Sequence, residues 1–458
     1  SIKGKMKIRY PNLRKNNTLF EVKILYDINL LCYISYLQCQ QKEETQMIPG
    51  ASILRDTITM ILAGGVGQRL FPLTAYRSKP AVPFGGKYRI IDFALSNCLN
   101  SGLRKIYILV QYKSDSLNQH IYEAWSIFNP ELGEFIYSVP PQKKMSSDWY
   151  LGTANAIYQN MNLFHGDKRG KWVLILSGDH IYKMDYLKQL IFHNDVKADL
   201  SLSCMPVPTE EADRFGIVET DENSKVINFI EKPDNPPEIP GNPGYSYVNM
   251  GIYVFNANLL REVMIEMESK NIPNNDFGQD VIPYMIKQGL NVVAYPFVDE
   301  NKKNKPYWKD IGTIESYYEA SMDLINVVPE FNLYDLEWPL RTYQYQFPPA
   351  KTVSHWGERI GRTLNSPICD GTIVSGGLIE RSIIGANVRV NSYSYVTDSM
   401  IMNNCNIGRN VKIRRAIIDK NVHIPPGTEI GFDLEKDKQR FTVTETGIVV
   451  IPKNYVFA

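Results

Sequence analysis

Between Thr57 and about Asn326 the chain alternates two hydrophobic rhythms. Short β-prone runs, among them Ile58 to Leu62, Lys105 to Val110, Trp172 to Leu176, Leu200 to Met205 and Gly251 to Phe255, are separated by helical patterns such as Tyr182 to Asn194. That alternation predicts an α/β sheet covered by helices, with a substrate crevice at the carboxyl ends of its strands. Gly64, Asp179 and Lys232 each come just after a predicted strand or on a sheet-edge turn. A connector rich in proline and aromatic residues follows over 327–363, with Pro329, Trp338, Pro339, Pro348, Pro349 and Trp356. So many large rings predict packing against the preceding α/β domain, not a free linker.

Beyond the connector the period changes. Aliphatic residues recur at steps of six in three runs: Leu378, Ile384, Val390, Val396 and Met402; Ile401, Ile407 and Ile413; Ile418, Ile424 and Ile430. Each run is offset by one residue, and Gly385, Gly408 and Gly431 each follow an isoleucine. A β-sandwich would alternate at two; steps of six predict a β-helix of hexapeptide repeats over 364–458, with aliphatics stacked inward and small residues at the corners. Its open ends and flank suit subunit contacts. The domain expectation is therefore an extension over 1–56, a catalytic domain over 57–326, the connector, and the β-helix.

Composition narrows the function classes. A chain of 458 residues suggests two domains, and 50 basic against 49 acidic side chains leave no global field for nucleic acid or an anionic membrane. Any phosphate binding must be local. Six cysteines (Cys32, Cys39, Cys98, Cys204, Cys369, Cys405) form no CxxC pair, which fits free thiols in a reducing cytoplasm and argues against a disulfide framework or structural zinc. In the extension, Lys3, Lys5, Lys7, Arg9, Arg14 and Lys15 precede an apolar stretch, Ile24 to Leu37, interrupted by Asp27. It is too short to span a bilayer and lacks a small-residue cleavage site, while Glu21, Glu43 and Glu44 are unlike an organellar transit peptide. A cytoplasmic location is expected, with a plastid as the alternative in a eukaryote.

The candidate chemistry begins at Ile61, in ILAGGVGQRLFPLTAYRSK. A β-prone run empties into Gly64, Gly65 and Gly67, then Arg69, then the pair Lys79-Pro80. Glycines let backbone N–H groups approach an anion, Arg69 offers a planar fork to phosphate oxygens, and Lys79 brings a compact charge. A dinucleotide loop would need a third glycine where Leu70 stands, and no Gly-Lys-Ser/Thr closes a Walker loop. What remains is the GGxGxRL…KP pattern of sugar-phosphate nucleotidyltransferases. The segments PAVPFGGKYRIIDFALSNCLNSG, WYLGTANA, SGDHIYKMDY, FIEKP, NMGIYVF and YWKDIGT follow in order. Together, from about Thr57 to about Lys453, they closely resemble the glucose-1-phosphate adenylyltransferase (ADP-glucose pyrophosphorylase) family.

That resemblance implies a Rossmann-like nucleotidyltransferase domain joined to a left-handed β-helix, and transfer of an adenylyl group from ATP to glucose 1-phosphate. It implies that Asp179, Arg69 and Lys79 are catalytic and that Asp179 and Asp310 hold Mg²⁺, a hard ion suited to carboxylates and phosphates. Gly216, Glu231, Lys232 and Asn249 would bind glucose 1-phosphate or ADP-glucose; Gly64, Gly65, Gly67, Gln111, Tyr150 and Gly152 would line the nucleotide site. Two positions depart from the family pattern: Asn249, where many relatives carry serine, and Asn155, where many carry aspartate. His180 is read as structural.

Regulation is also implied. Many relatives respond to glycolytic phosphates and AMP; the resemblance implies Arg77, Arg89, Arg415 and Arg440 as effector residues, with Arg77 and Arg89 at inhibitor positions and Arg414 and Lys438 as further basic groups of the β-helix region. Tyr76, Gln439 and Val443 stand where activator-binding basic residues are expected, so activation by fructose 1,6-bisphosphate is expected to be weak. A homotetramer is implied, with a paralogous second subunit as the alternative. A non-catalytic subunit and a uridylyltransferase remain the rival functions, although Arg69, Lys79, Asp179, Lys232 and Asp310 are all intact.

Overall fold

The computed structural model describes residues 50–141, 149–164, 170–355, 357 and 359–457. Most of the extension, Cys32 and Cys39, and Trp356 lie outside the described residues. Two units divide the chain, Ser1–Ser52 and Ile53–Ala458, and every element of the site lies in the second.

The catalytic domain is built on a nine-stranded mixed sheet. At its centre Thr57–Ala63 runs parallel to both Lys105–Val110 and Trp172–Ser177. Thr57–Ala63 is almost entirely buried, as a central parallel strand with helices on both faces must be. One face is covered by Ile91–Asn100, Asp115–Trp125 and Tyr186–Asp195, whose Leu95, Leu117 and Leu190 join one core with Ile61 and Ile108. Thr153–Tyr158 and Ala257–Ser269 cover the other, around Met60, Ile175 and Phe255. The three parallel strands end side by side, at Ala63, Val110 and Ser177, and this edge carries the glycine loop, Gln111 and Asp179.

The expected helix from Tyr182 to Asn194 starts later. His180–Tyr182 is a short strand paired antiparallel with Trp308–Asp310, and the helix runs Tyr186–Asp195 behind an Asp185 cap. The aromatic and β-branched residues of HIY favour the ribbon over a first helical turn.

The C-terminal domain is a left-handed β-helix made of three five-stranded sheets, parallel throughout except where Thr442–Val443 runs antiparallel to Val449–Ile451. Its strands begin at Lys351–Val353, inside the segment expected as connector, and that strand pairs with Ile373–Ser375. Equivalent residues on successive coils are 17 apart, as in Asn387 to Asn404 and Asn404 to Asn421. The inward column, Val390, Val396, Ile401, Ile407, Ile413, Ile418, Ile424 and Ile430, therefore advances by six, six and five. Two residues expected in that column are elsewhere: Ile379, not Leu378, points inward, and Met402 packs against the catalytic domain. Corners use asparagine as well as glycine. Asn387, Asn404, Asn421 and Asn454 all have positive φ, and each amide bonds to the next at 2.9 to 3.1 Å.

A third core joins the domains, with Ile383, Met400, Ile417 and Val450 packed among Leu70, Val82, Phe84, Phe93 and Ile181. Among the described residues no helix is long and apolar enough to cross a membrane.

Candidate active site

Lys79 lies in a short 3₁₀ turn, Lys79–Ala81, that Pro80 stiffens, and its side chain is largely buried. The ammonium sits between two carboxylates, 2.8 Å from Asp179 Oδ2 and 3.0 Å from Asp310 Oδ1. The ribbon makes this convergence possible: Asp310 is registered opposite His180, so the residue just before His180 and the last residue of Trp308–Asp310 face the same cation. Burial alone would lower the Lys79 pKa, but Asp179 and then Asp310 hold it above the ordinary lysine value. Burial alone would raise the Asp179 pKa; Lys79 and then His180 keep it below the usual carboxylate range. The lysine is thus held charged and Asp179 ionised.

His180, expected to be structural, is nearer the chemistry than that. Its Nε2 is 3.5 Å from Asp179 and 3.8 Å from Asp310, and its ring meets Trp308 edge to face. Arg69 does not touch the lysine cluster; its guanidinium lies along Gly312, two residues past Asp310. A cleft of about 420 Å³ opens there, bounded by Arg69, Phe215, Trp308, Asp310, Gly312 and Ser316.

In the glycine loop the three glycines differ in what they do. Gly67 has φ +66°, and a Cβ there would lie 3.0 Å from Thr74 and 3.1 Å from Lys79, so the turn strongly favours glycine. Gly65 has open space on its side-chain face, room for a ligand to meet the backbone. Gln111 closes the neighbouring strand and clasps the backbone of Tyr150, accepting from its N–H at 3.0 Å and donating to its carbonyl at 3.4 Å. The Tyr150 hydroxyl accepts from Asn160 at 3.0 Å. A Cβ on Gly152 would lie 2.3 Å from the Asn275 carbonyl, so this residue is fixed by backbone approach. Asn155 accepts from Leu151 N–H and from Gln159, a role that an aspartate would fill as well.

Gly216 and Glu231 are partners across the antiparallel pair Gly216–Thr220 and Val226–Glu231. The missing side chain at Gly216 leaves room for Glu231, whose Oε2 would be 3.0 Å from a Cβ there. Lys232 adopts φ +48°, an uncommon backbone for lysine, and its exposed ammonium is 3.2 Å from Glu231. Asn249 spends its amide inside its own strand: its oxygen accepts from Gly251 N–H at 3.1 Å and its nitrogen donates to the Tyr253 hydroxyl at 2.7 Å. This closes the bulge where Tyr245–Asn256 slips against Leu200–Pro208.

A second polar site lies between the catalytic domain and the β-helix. It is a pocket of about 330 Å³ lined by Arg77, Arg89, Tyr343, Tyr345, Lys420 and Lys453. One Arg77 nitrogen contacts both oxygens of buried Asp419 at 3.0 Å, while its other terminal nitrogen is buried without a partner. Arg89 donates to the Ser116 carbonyl at 2.6 Å. Burial, then the charges of Arg89 and Arg77, push the Lys420 pKa down to about 7. Of the four expected effector residues, the structure brings Arg77 and Arg89 together here. Arg415 instead stacks on Tyr318 and donates to the Thr446 carbonyl, and Arg440 pairs with Asp437 in a separate pocket beside Tyr76 and Lys438. Lys420 and Lys453 were not legible as site residues. A lone lysine in the run IIDKNVHI reads as a solvated corner, and only the stacking of coils turns it inward.

Comparisons with known proteins show the family. A profile described as nucleotidyl transferase matches residues 58–327, and one described as GlmU-like, C-terminal hexapeptide matches residues 348–451. The chain is 49% identical over 407 residues, 88% of its length and 100% of the relative's, to glucose-1-phosphate adenylyltransferase 2 of Vibrio cholerae. It is 48% identical to the glucose-1-phosphate adenylyltransferase of Rhodopirellula baltica, with 89% and 92% of the two chains covered. The enzyme of the same name from Methylococcus capsulatus is also 48% identical, with 87% and 94% covered.

Proposed function

Because the chain belongs to the glucose-1-phosphate adenylyltransferases, we infer that it transfers the adenylyl group of ATP to α-D-glucose 1-phosphate, giving ADP-glucose and pyrophosphate. ADP-glucose is the donor for glycogen or starch synthesis. The observation that carries the reading is the convergence of Asp179 and Asp310 on the charged Lys79 beside a glycine loop.

An ionised phosphate oxygen of glucose 1-phosphate attacks the α-phosphorus in line, and the bond from that phosphorus to the β-bridging oxygen breaks. The nucleophile arrives deprotonated, so no side-chain base is needed. Lys79 neutralises charge as it builds on the α-phosphate, and Arg69 faces the leaving pyrophosphate. Nucleotidyltransferases of this family generally use a divalent metal. The residues fit Mg²⁺: two hard oxygen donors face one cation position, now taken by the Lys79 ammonium. Among the described residues no group of three or more His, Cys, Asp or Glu side chains is arranged to hold a metal by itself. Substrate phosphates would complete the shell, and the ion would supply charge neutralisation between them.

Gly64, Gly65, Gly67, Gln111, Tyr150 and Gly152 form the nucleotide side of the crevice, with Gln111 holding Tyr150 in place. Gly216, Glu231 and Lys232 take the sugar phosphate, and Asn249 shapes that wall through its bulge. Arg77 and Arg89, joined by Lys420 and Lys453, take an anionic effector. The assembly is a homotetramer in this reading.

Asp179→Asn tests the centre. Turnover should fall about a hundredfold or more with the fold intact, since charge that anchors the metal and Lys79 is lost. Near-normal activity at saturating Mg²⁺ would refute the assignment.

A further inference from the structure

The two carboxylates of the reaction centre stand at one end of a two-stranded ribbon, and its other end is tied to the connector. Tyr182 is registered opposite Trp308, so Lys183 and Tyr307 leave the ribbon side by side, away from Asp179 and Asp310. Lys183 is wholly buried, and its ammonium is 2.9 Å from Asp335 of the connector and 5.6 Å from the Phe331 ring. Tyr307 packs on the same Phe331 ring, with 5.1 Å between centroids, and its N–H donates to Asp299 at 2.8 Å. Both strands are therefore gripped by Phe331 to Asp335. Asp335 is itself fixed, its Oδ1 accepting from the Glu337 and Trp338 N–H groups.

A fully buried lysine is a costly way to fasten a loop, because an apolar residue of similar volume is often as stabilising as a buried ion pair. What the pair adds is a directional contact at a defined place. Burial pulls the Lys183 pKa below the ordinary lysine value even with Asp335 beside it, so desolvation of the ammonium outweighs the attraction of its partner.

We propose that Lys183 and Asp335 are a positioning pair for the reaction: through the ribbon His180–Tyr182 and Trp308–Asp310 they set the separation of Asp179 and Asp310 at the metal and Lys79. The inference rests on the reading of Asp179 and Asp310 as the reaction centre. The ribbon is only three residues long on each side, about 10 Å at strand rise, so a shift at one end reaches the other. A misplacement of about 1 Å can cost about a hundredfold in rate.

The test uses the full chain carrying Lys183→Met together with Asp335→Asn. This removes both charges, leaves no orphan ion, and retains the Asp335 oxygen that caps the following backbone. We expect thermal unfolding close to that of the unsubstituted chain, with kcat lowered about tenfold. Mn²⁺ binding, measured by electron paramagnetic resonance with saturating ADP-glucose and no pyrophosphate, should weaken at least about threefold. Lys183→Met alone should lower stability as well, because Asp335 is left without its partner. A double variant that folds normally and keeps ordinary Mn²⁺ affinity and turnover would overturn the proposal and leave the pair a structural fastening. Asp179→Asn assayed in parallel separates the two ideas: if it too were unaffected, the reaction-centre reading would be the one that fails.

Discussion

At the residue scale the site is made by three charges that hold one another in place. Lys79, Asp179 and Asp310 come from segments 100 and 131 residues apart in sequence, yet both carboxylates lie within 3.0 Å of the Lys79 ammonium. Lys232 stands apart, exposed, and among the described residues its ammonium pairs only with Glu231. Lys232→Ala should therefore raise KM for glucose 1-phosphate about tenfold or more and leave KM for ATP and kcat nearly unchanged, because the lost charge serves ground-state binding. A change in the ATP constant instead would place Lys232 on the wrong substrate. The basic pocket gives a pH test. Its cations Arg77, Arg89 and Lys453 face Lys420, with Asp419 and Glu123 as the nearby acids. With a pKa near 7, Lys420 carries its proton below neutrality and loses it above. Sulfate, whose own charge does not change in this range, should inhibit more strongly at pH 6.5 than at 8.5. Lys420→Gln should flatten that dependence; an unchanged slope in this variant would show that another group titrates. Arg77 and Arg89 were expected from the family resemblance, whereas the placement of Lys420 beside them was not, because it depends on which coil lies beside the catalytic domain.

At the element scale, periodicity was the most informative signal and also the source of the errors. Steps of six found the β-helix, but a coil of 17 residues needs one step of five, and that short step moved Leu378 and Met402 out of the column. The catalytic strands were legible because each is a continuous apolar run; the ribbon His180–Tyr182 was not, since three residues cannot display a period. The asparagine corners were invisible for a different reason: a positive φ leaves no mark on hydrophobic spacing. They make a prediction of their own. Asn387 has φ +56° and begins the amide ladder to Asn404. Asn387→Ala combines a lost hydrogen bond with left-handed backbone strain and should lower stability by about 1–3 kcal/mol. Asn387→Gly should cost less, since glycine tolerates that backbone. Chemical denaturation of both variants decides it, and equal losses would mean that the backbone strain is negligible.

At the scale of the whole molecule the β-helix is a wall of the catalytic domain as well as a candidate subunit contact. Ile383, Met400, Met402, Ile417 and Val450 complete a core that also holds Leu70, Phe93 and Ile181, elements on which the glycine loop and the ribbon rest. Deleting 364–458 would uncover that face, so the truncated chain should lose soluble activity along with any assembly. A truncated protein that stays soluble and active while changing only its sedimentation would show that the shared core is dispensable. Arg77, two residues before Lys79, binds Asp419 of the β-helix, so the basic pocket and the proposed reaction centre share one short segment. The most direct test of the central claim is product analysis on the purified full chain with Mg²⁺, glucose 1-phosphate and ATP, UTP or dTTP in turn. The account predicts pyrophosphate and ADP-glucose from ATP, at rates at least about tenfold above those with the other nucleotides. Equal or faster turnover with UTP, or no sugar nucleotide from any of the three, would contradict it.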